Sequence, residues 1–545
     1  RTGRSDSCEK RIDERMRVFT RMVYAECMEN EGRFLPAIER ALAGFDQEKT
    51  WLFPAHDPGL ENFRGKGTEI NICSSALAWN IATAAWWLGE KLSPAARQLV
   101  AENLERRIFT PFESTVKTGR PRTRCLLNTA NHNSVTIAGI TGCAMAQIES
   151  AARRAYFAAA GEKFIQNYVS GFTPDGYCAE GVGYWNYGFG RYTLFAETLR
   201  RASGGRVDCL ADNRIRTIAM FGRRTEVQNG VYPTYSDSFP GEKADADLMG
   251  FLSRHYGWGL QEWEAAGANA ARRPREHLFL TGIFDDAELS KSGPIADRHD
   301  PAPLRDFFPD GGLLICRPGR GSSNALAVAI KGGHNGEPHN HNDVGSFIVV
   351  AGNQPLLADP GAEVYTSRTF SRHRYRSNVL NSFGHSVPRV AGKLQSTGRN
   401  ARAAIEFTDF KNERDILRID LASAYDVAEL SRLTRTFIYS RDGNGQLEVV
   451  DEVSFTQPRL FETALITFAP SSEYAPGHFR IGDDAESILV EITSEKSEFR
   501  VTTSTIEEEL PDGRIPTRLA IELVNPIDAA KVKIIIRTDG MPHKR

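Results

Sequence analysis

Apolar positions in the first 290 or so residues fall in blocks of helical length, separated by turns that carry Gly and Pro. Ser93-Pro94-Ala95-Ala96 opens one block with a Ser cap and a proline in the first turn, where a missing N–H costs nothing. Residues 135–151, 152–169 and 184–201 form further blocks of similar length, with turns such as Thr173-Pro174-Asp175-Gly176 between them. Residues 76–88 are apolar and carry Trp79, Trp86 and Trp87; that is too short to span a membrane and suits a buried helix. Many helices of one length predict a toroid or solenoid of antiparallel helical hairpins, although no strict sequence repeat marks it.

The texture changes after Pro301. Runs at 313–316, 325–330, 346–350, 446–453 and 532–537 are short and β-branched or alternating, with turns such as Asp442-Gly443-Asn444-Gly445 between them. They predict antiparallel sheets packed as a sandwich. A chain of 545 residues exceeds one ordinary core. The expected class is therefore multidomain α+β, with a helical domain over 1–295, a β domain over 300–545 and a linker within 285–303.

Composition narrows the function by exclusion. With 67 basic and 69 acidic residues the charges nearly cancel, so neither a nucleic acid nor a membrane is an expected partner, and any polyanion must meet a local patch. Eight cysteines without a CxxC pair read as buried thiols rather than a disulfide scaffold. The chain starts Arg1-Thr2-Gly3, as a chain stripped of its leader would.

The chemistry concentrates in Gly336-Glu337-Pro338-His339-Asn340-His341-Asn342-Asp343, since five of the twelve histidines lie between His334 and His385. In an extended strand His339 and His341 share one face, opposite Asn340 and Asn342. Ala358-Asp359-Pro360-Gly361 and Ser382-Phe383-Gly384-His385 follow. Two histidines and a carboxylate can make a three-ligand zinc site with an open fourth position, so an enzyme that binds a metal is expected. Arg372, Arg374 and Arg376 alternate with His373 and Tyr375; on a strand they would form a row of guanidinium groups suited to carboxylate or sulfate.

Three patches together resemble the heparinase II/III superfamily of polysaccharide lyases. They are Asn128-Thr129-Ala130-Asn131-His132-Asn133, the stretch from Asp175 to Gly188, and the HxHxD segment with Asp359-Pro360-Gly361. The resemblance implies an N-terminal (α/α) toroid, a C-terminal antiparallel β-sandwich and a cleft between them. It also implies β-elimination on an acidic, uronate-containing polysaccharide of glycosaminoglycan or alginate type, a periplasmic or secreted setting, and room for a homodimer. Such a reaction removes the C5 proton of a uronate and expels the 4-linked oxygen. It needs the carboxylate neutralised, a base at C5 and an acid at the leaving oxygen.

On that resemblance Asn131 and His132 grip the carboxylate. A tyrosine a little over fifty residues further on is catalytic. Tyr184 and Tyr187 lie 52 and 55 residues beyond His132, and Tyr187 is the favoured one. Tyr184 would then form a sugar-stacking wall, Glu180 would orient its neighbours, and Tyr365 and Arg374 would line the cleft. His339 faces the cleft, while His341 and Asp359 match two ligands of one Zn2+ with a structural role. Many members have a His-Asn pair where this chain has Ser377-Asn378; His385 is the preferred third ligand over His373.

Three other readings compete. A zinc hydrolase of the metallo-β-lactamase type would have a second histidine directly after the aspartate, where this chain has Val344. A non-catalytic protein that binds acidic glycans would keep aromatic walls and lose Asn131, His132 and His339. A glycoside hydrolase would need paired carboxylates, and only Glu180 and Asp237 stand near the motifs.

Overall fold

A computed structural model describes residues 6–120, 123–270, 277–280, 303–319 and 326–539. Of the expected linker, residues 285–302 lie outside these. Helices fill the described part of the first 270 residues, and antiparallel strands dominate after residue 303. The Pro94–Leu104 helix starts as expected, with Ser93 Oγ accepting from Ala96 N at 3.2 Å.

Asn131–Gln147 is central to the helical half and packs against Ile72–Leu88, Ala151–Ser170 and Gly181–Ala202. It is buried on nearly all sides, which is why it lacks an amphipathic stripe. Its small residues admit large partners; a Cβ at Gly142 would fall 2.1 Å from the Trp79 ring. The helix begins four residues before the periodic block starts at 135, so Asn131 and His132 stand in its first turn.

The described β half holds sheets of five, nine and four strands. The five-stranded sheet runs in the order Arg305–Phe308, Leu313–Cys316, Leu326–Lys331, Phe347–Ala351, Gln354–Leu357, each neighbour antiparallel. Its side chains alternate between two cores. Leu313, Ile315, Ala327, Ala329, Ile348 and Val350 join the helical core. Leu314, Cys316, Val328, Ile330, Phe347 and Val349 join the sandwich core. A sheet covered on both faces needs apolar residues at every position, which explains the unbroken Leu313-Leu314-Ile315-Cys316 run. This sheet makes the two halves one packed body.

Two expected strands are not strands. Residues 336–346 form a loop rather than an extended segment, with His339 in the left-handed region at φ 53°. Pro338 cannot donate to a ladder, and Gly345, at φ 87°, turns the chain back into the Phe347–Ala351 strand. Residues 371–377 form turns around a short 3₁₀ segment, Arg374–Arg376. The three arginines therefore form no row: Arg374 turns inward while Arg372 and Arg376 are exposed.

Phe308 marks the junction. It is fully buried, with Tyr177 and Phe221 at 5.7 and 5.9 Å between ring centres and the Arg224 guanidinium 3.8 Å from its ring centre. Phe308→Ala should cost about 3–5 kcal/mol. Denaturant unfolding should show both halves melting earlier; a loss confined to one half would mean that the sheet is not a shared core.

Candidate active site

The loop Tyr232–Pro240 of the helical half lies against the β half. Tyr235 donates to Ala329 O at 2.8 Å, Thr234 to Asp359 O at 2.7 Å, and Ser238 O accepts from Ala362 N at 3.0 Å. Asp237 sits in this loop and is fully buried. It accepts from His339 Nδ1 at 2.7 Å, His341 Nε2 at 3.0 Å and Arg374 Nη2 at 2.6 Å, all three from the β half. Burial alone would raise this carboxyl. The hydrogen bonds from His339 and His341 and the charge of Arg374 outweigh it and hold Asp237 well below the usual carboxylate range.

His339 stands at the mouth of this arrangement. Its ring lies over Tyr184 with centroids 4.4 Å apart, and its Nε2 is 3.5 Å from Glu180 Oε1. Tyr184 OH is 2.7 Å from Tyr365 OH. Burial pushes the Tyr184 phenol far above its ordinary value, so it keeps its proton. Glu180 binds Asn131 twice, taking Nδ2 at 3.0 Å and the backbone N–H at 3.4 Å, and so fixes the amide at the helix start. Burial raises the Glu180 carboxyl despite the neighbouring His339 and those bonds.

His132 lies on the same side. It lines a cleft of about 410 Å³ together with Asn128, Ala130, Glu337, His339, Phe370, Arg374 and Tyr375. Burial first, then His56 and His339, push His132 down to about 4, so it is neutral at pH 7. His56, with its ring 5.5 Å from that of His132, is held by Asn71 Nδ2 at 2.8 Å from its Nδ1. No motif around His56 announced it. Phe370, 65% exposed and 4.9 Å from the Tyr365 ring, offers an apolar wall.

Asn131, His132, Glu180, Tyr184, His339, Tyr365 and Arg374 are thus brought together. Tyr187 does not share the contacts that set Tyr184 on His339. It is 37% exposed, with the Arg191 guanidinium 5.5 Å from its ring centre. Three residues along a helix turn the side chain by about 300°, so the two tyrosines point in directions about 60° apart. The geometry moves the favoured position from Tyr187 to Tyr184. Arg374 lines the cleft, with each of its three nitrogens donating one hydrogen bond, to Asp237, Asn340 O and Thr369 O. Asp237 entered the sequence reading only as a carboxylate near the motifs; its role as the shared acceptor of His339, His341 and Arg374 is legible in the structure alone.

His341 and His385 form a second, fully buried cluster, with ring centres 5.3 Å apart. Each gives one ring nitrogen to a carboxylate: His341 Nε2 to Asp237, and His385 Nδ1 to Asp359 Oδ2 at 2.8 Å. The other two nitrogens, His341 Nδ1 and His385 Nε2, have no hydrogen-bond partner among the described residues. That is the pattern of two imidazoles oriented for a metal by outer carboxylates. The expected set placed Asp359 on the metal. The structure instead puts Asp343 in the cluster, with one ligand atom from each of His341, Asp343 and His385 within 4.8 Å of the others, and sets Asp359 on the other nitrogen of His385. Asp343 also takes Lys331 Nζ at 2.7 Å on both oxygens. His373 is not part of this group and lies beside Arg372.

The described cysteines with placed side chains are unpaired, and Cys125, Cys143, Cys178 and Cys316 are buried. Among the described residues no helix is long and apolar enough to cross a membrane.

Gly181 keeps this geometry tight. It opens the Tyr184 helix at φ 88°, and a Cβ there would fall 2.0 Å from Ser238 Oγ, next to Asp237. Gly181→Ala should destabilise by roughly 1–3 kcal/mol from backbone strain alone. Thermal unfolding measures it; an unchanged Tm would show that the Asp237 loop is not pressed against the helix start.

Residues 300–528 match the family model described as Heparinase II/III-like, C-terminal. Among solved structures, a heparinase III superposes with a TM-score of 0.68 at 13% identity, over 96% of this chain and 76% of that one. The heparan sulfate lyase HepC from Pedobacter heparinus gives 0.66 at 11% identity, over 97% and 76%. A further heparinase III gives 0.64 at 12%, over 96% and 76%. Likeness at these identities is a likeness of fold. A search among curated proteins gives no match.

Proposed function

We propose that the chain, whose residues 300–528 match the heparinase II/III-like C-terminal family model and whose fold resembles that of heparinase III, is a polysaccharide lyase that cleaves a uronate-containing polysaccharide by β-elimination. The observation that carries this reading is the close approach of the His339 ring, from the β half, to the Tyr184 ring, from the helical half, beside Asn131 and His132 at a helix start. Asn131, aimed by Glu180, and neutral His132 hydrogen-bond the uronate carboxylate and stabilise the charge that develops on it. His339 takes the C5 proton. Tyr184, kept protonated by burial, gives its proton to the departing 4-linked oxygen. Phe370 and Tyr365 provide faces for sugar rings.

A hydrolase of the paired-carboxylate type is less well supported, because Glu180 and Asp237 are engaged with Asn131, His339, His341 and Arg374. A substrate of polymer size favours a periplasmic or secreted enzyme. For the metal, the donor chemistry fits zinc. His341 and His385 would hold it with a carboxylate, Asp343 on the present geometry, and it would serve to fix the loop that carries His339.

Incubation with purified uronate polymers should produce the ultraviolet absorbance of a 4,5-unsaturated uronate. Reducing ends without that absorbance would identify a hydrolase instead. Tyr184→Phe should lower turnover roughly 100-fold or more with folding intact, and Tyr187→Phe should change it far less; the opposite order would return the acid role to Tyr187.

Protein purified without added metal should contain close to one zinc per chain, and His341→Ala and His385→Ala should each lose it. Asp343→Asn should weaken zinc binding more than Asp359→Asn does. Full zinc content in His341→Ala would end the metal proposal.

A further inference from the structure

We propose that Asp237 is a positioning residue that sets the ring tautomers of His339 and His341 in opposite senses, so that one carboxylate prepares both the cleft histidine and the buried one. Asp237 is fully buried and touches ring nitrogens of different kinds: Nδ1 of His339 at 2.7 Å and Nε2 of His341 at 3.0 Å. An ionised carboxylate can only accept hydrogen bonds, so the nitrogen facing it must carry the proton in each ring. Arg374, 2.6 Å away, supplies the positive charge that keeps this buried carboxylate ionised.

The remaining nitrogens follow from this. A neutral His339 has its lone pair on Nε2, on the side where Glu180 and the cleft lie. A neutral His341 has its lone pair on Nδ1, which is buried and has no hydrogen-bond partner among the described residues. Without Asp237 each ring could exchange tautomers, and His339 would present an N–H to the cleft part of the time. The backbone agrees with a position held from outside. Asp237 follows Ser236 at φ 60°, and His339 is itself at φ 53°; such conformations in residues other than glycine persist only where surrounding contacts over-determine them.

What His339 does with its free Nε2 rests on the lyase reading; the tautomers themselves do not. The test is two-bond ¹H–¹⁵N correlation on full-length protein labelled in histidine, with His339→Ala and His341→Ala used to assign the rings. The wild type should show His339 protonated at Nδ1 and His341 at Nε2. Asp237→Asn should give a mixed tautomer for His339, a turnover lower by roughly 10- to 100-fold and a KM that moves little. His339 protonated at Nε2 in the wild type would overturn the proposal, as would Asp237→Asn with an unchanged His339 tautomer and unchanged turnover. If Asp237→Asn fails to fold, the wild-type spectrum alone decides. If no uronate polymer is cleaved by the wild type, the lyase reading fails while the tautomer assignment is still decided by that spectrum.

Discussion

A buried carboxylate on one half of the molecule, matched to three donors on the other, is the constraint around which the site is built. Asp237 has no access to water, so its charge must be satisfied by the protein. His339, His341 and Arg374 do so from two segments of the β half that lie more than thirty residues apart in sequence. Removing any one donor would leave a buried charge short of a partner. That mutual dependence fixes the cleft wall more firmly than surface ion pairs would.

The scaffold behind it follows the same logic on a larger scale. The five-stranded sheet gives one face to the helices and the other to the sandwich, so the halves share their apolar burial. From the sandwich side, Arg435 is fully buried and spends all its donors. It pairs with both oxygens of Asp451 at 2.7 Å and bonds Thr463 Oγ1, Gly345 O and Ser386 O. Gly345 ends the loop of His339 and His341, and Ser386 follows His385. A single guanidinium therefore anchors both histidine-bearing loops to the same strand.

Electrostatics within the cleft favour neutral hydrogen bonding over fixed positive charge. His132 is neutral at pH 7, and Arg374 is already neutralised by Asp237. A uronate carboxylate entering beside His132 would raise that imidazole back toward its ordinary value, because a nearby negative charge favours the protonated form. Recognition and charge stabilisation would then develop together as the substrate seats.

Periodicity alone determined the order of the architecture. Apolar blocks of helical length, then short β-branched runs, placed helices before sheets, and Leu313–Cys316 was found at its expected bounds. The clustering of histidines marked His339, His341 and His385, whereas Asn131 and His132 were marked only by the resemblance to a known family. The choice between Tyr184 and Tyr187 was not legible, since both lie on one helix and only its rotation against His339 separates them. The HxHxD segment was read as a strand because alternation is what a strand shows. Pro338 and the left-handed His339 make it a loop, yet Asp237 brings both rings to one point. Asp237, His56 and the place of Asp343 beside His341 were decided by the tertiary structure alone. A side chain whose role comes from partners a hundred residues away leaves no local pattern, because burial and approach distance are properties of the packed chain.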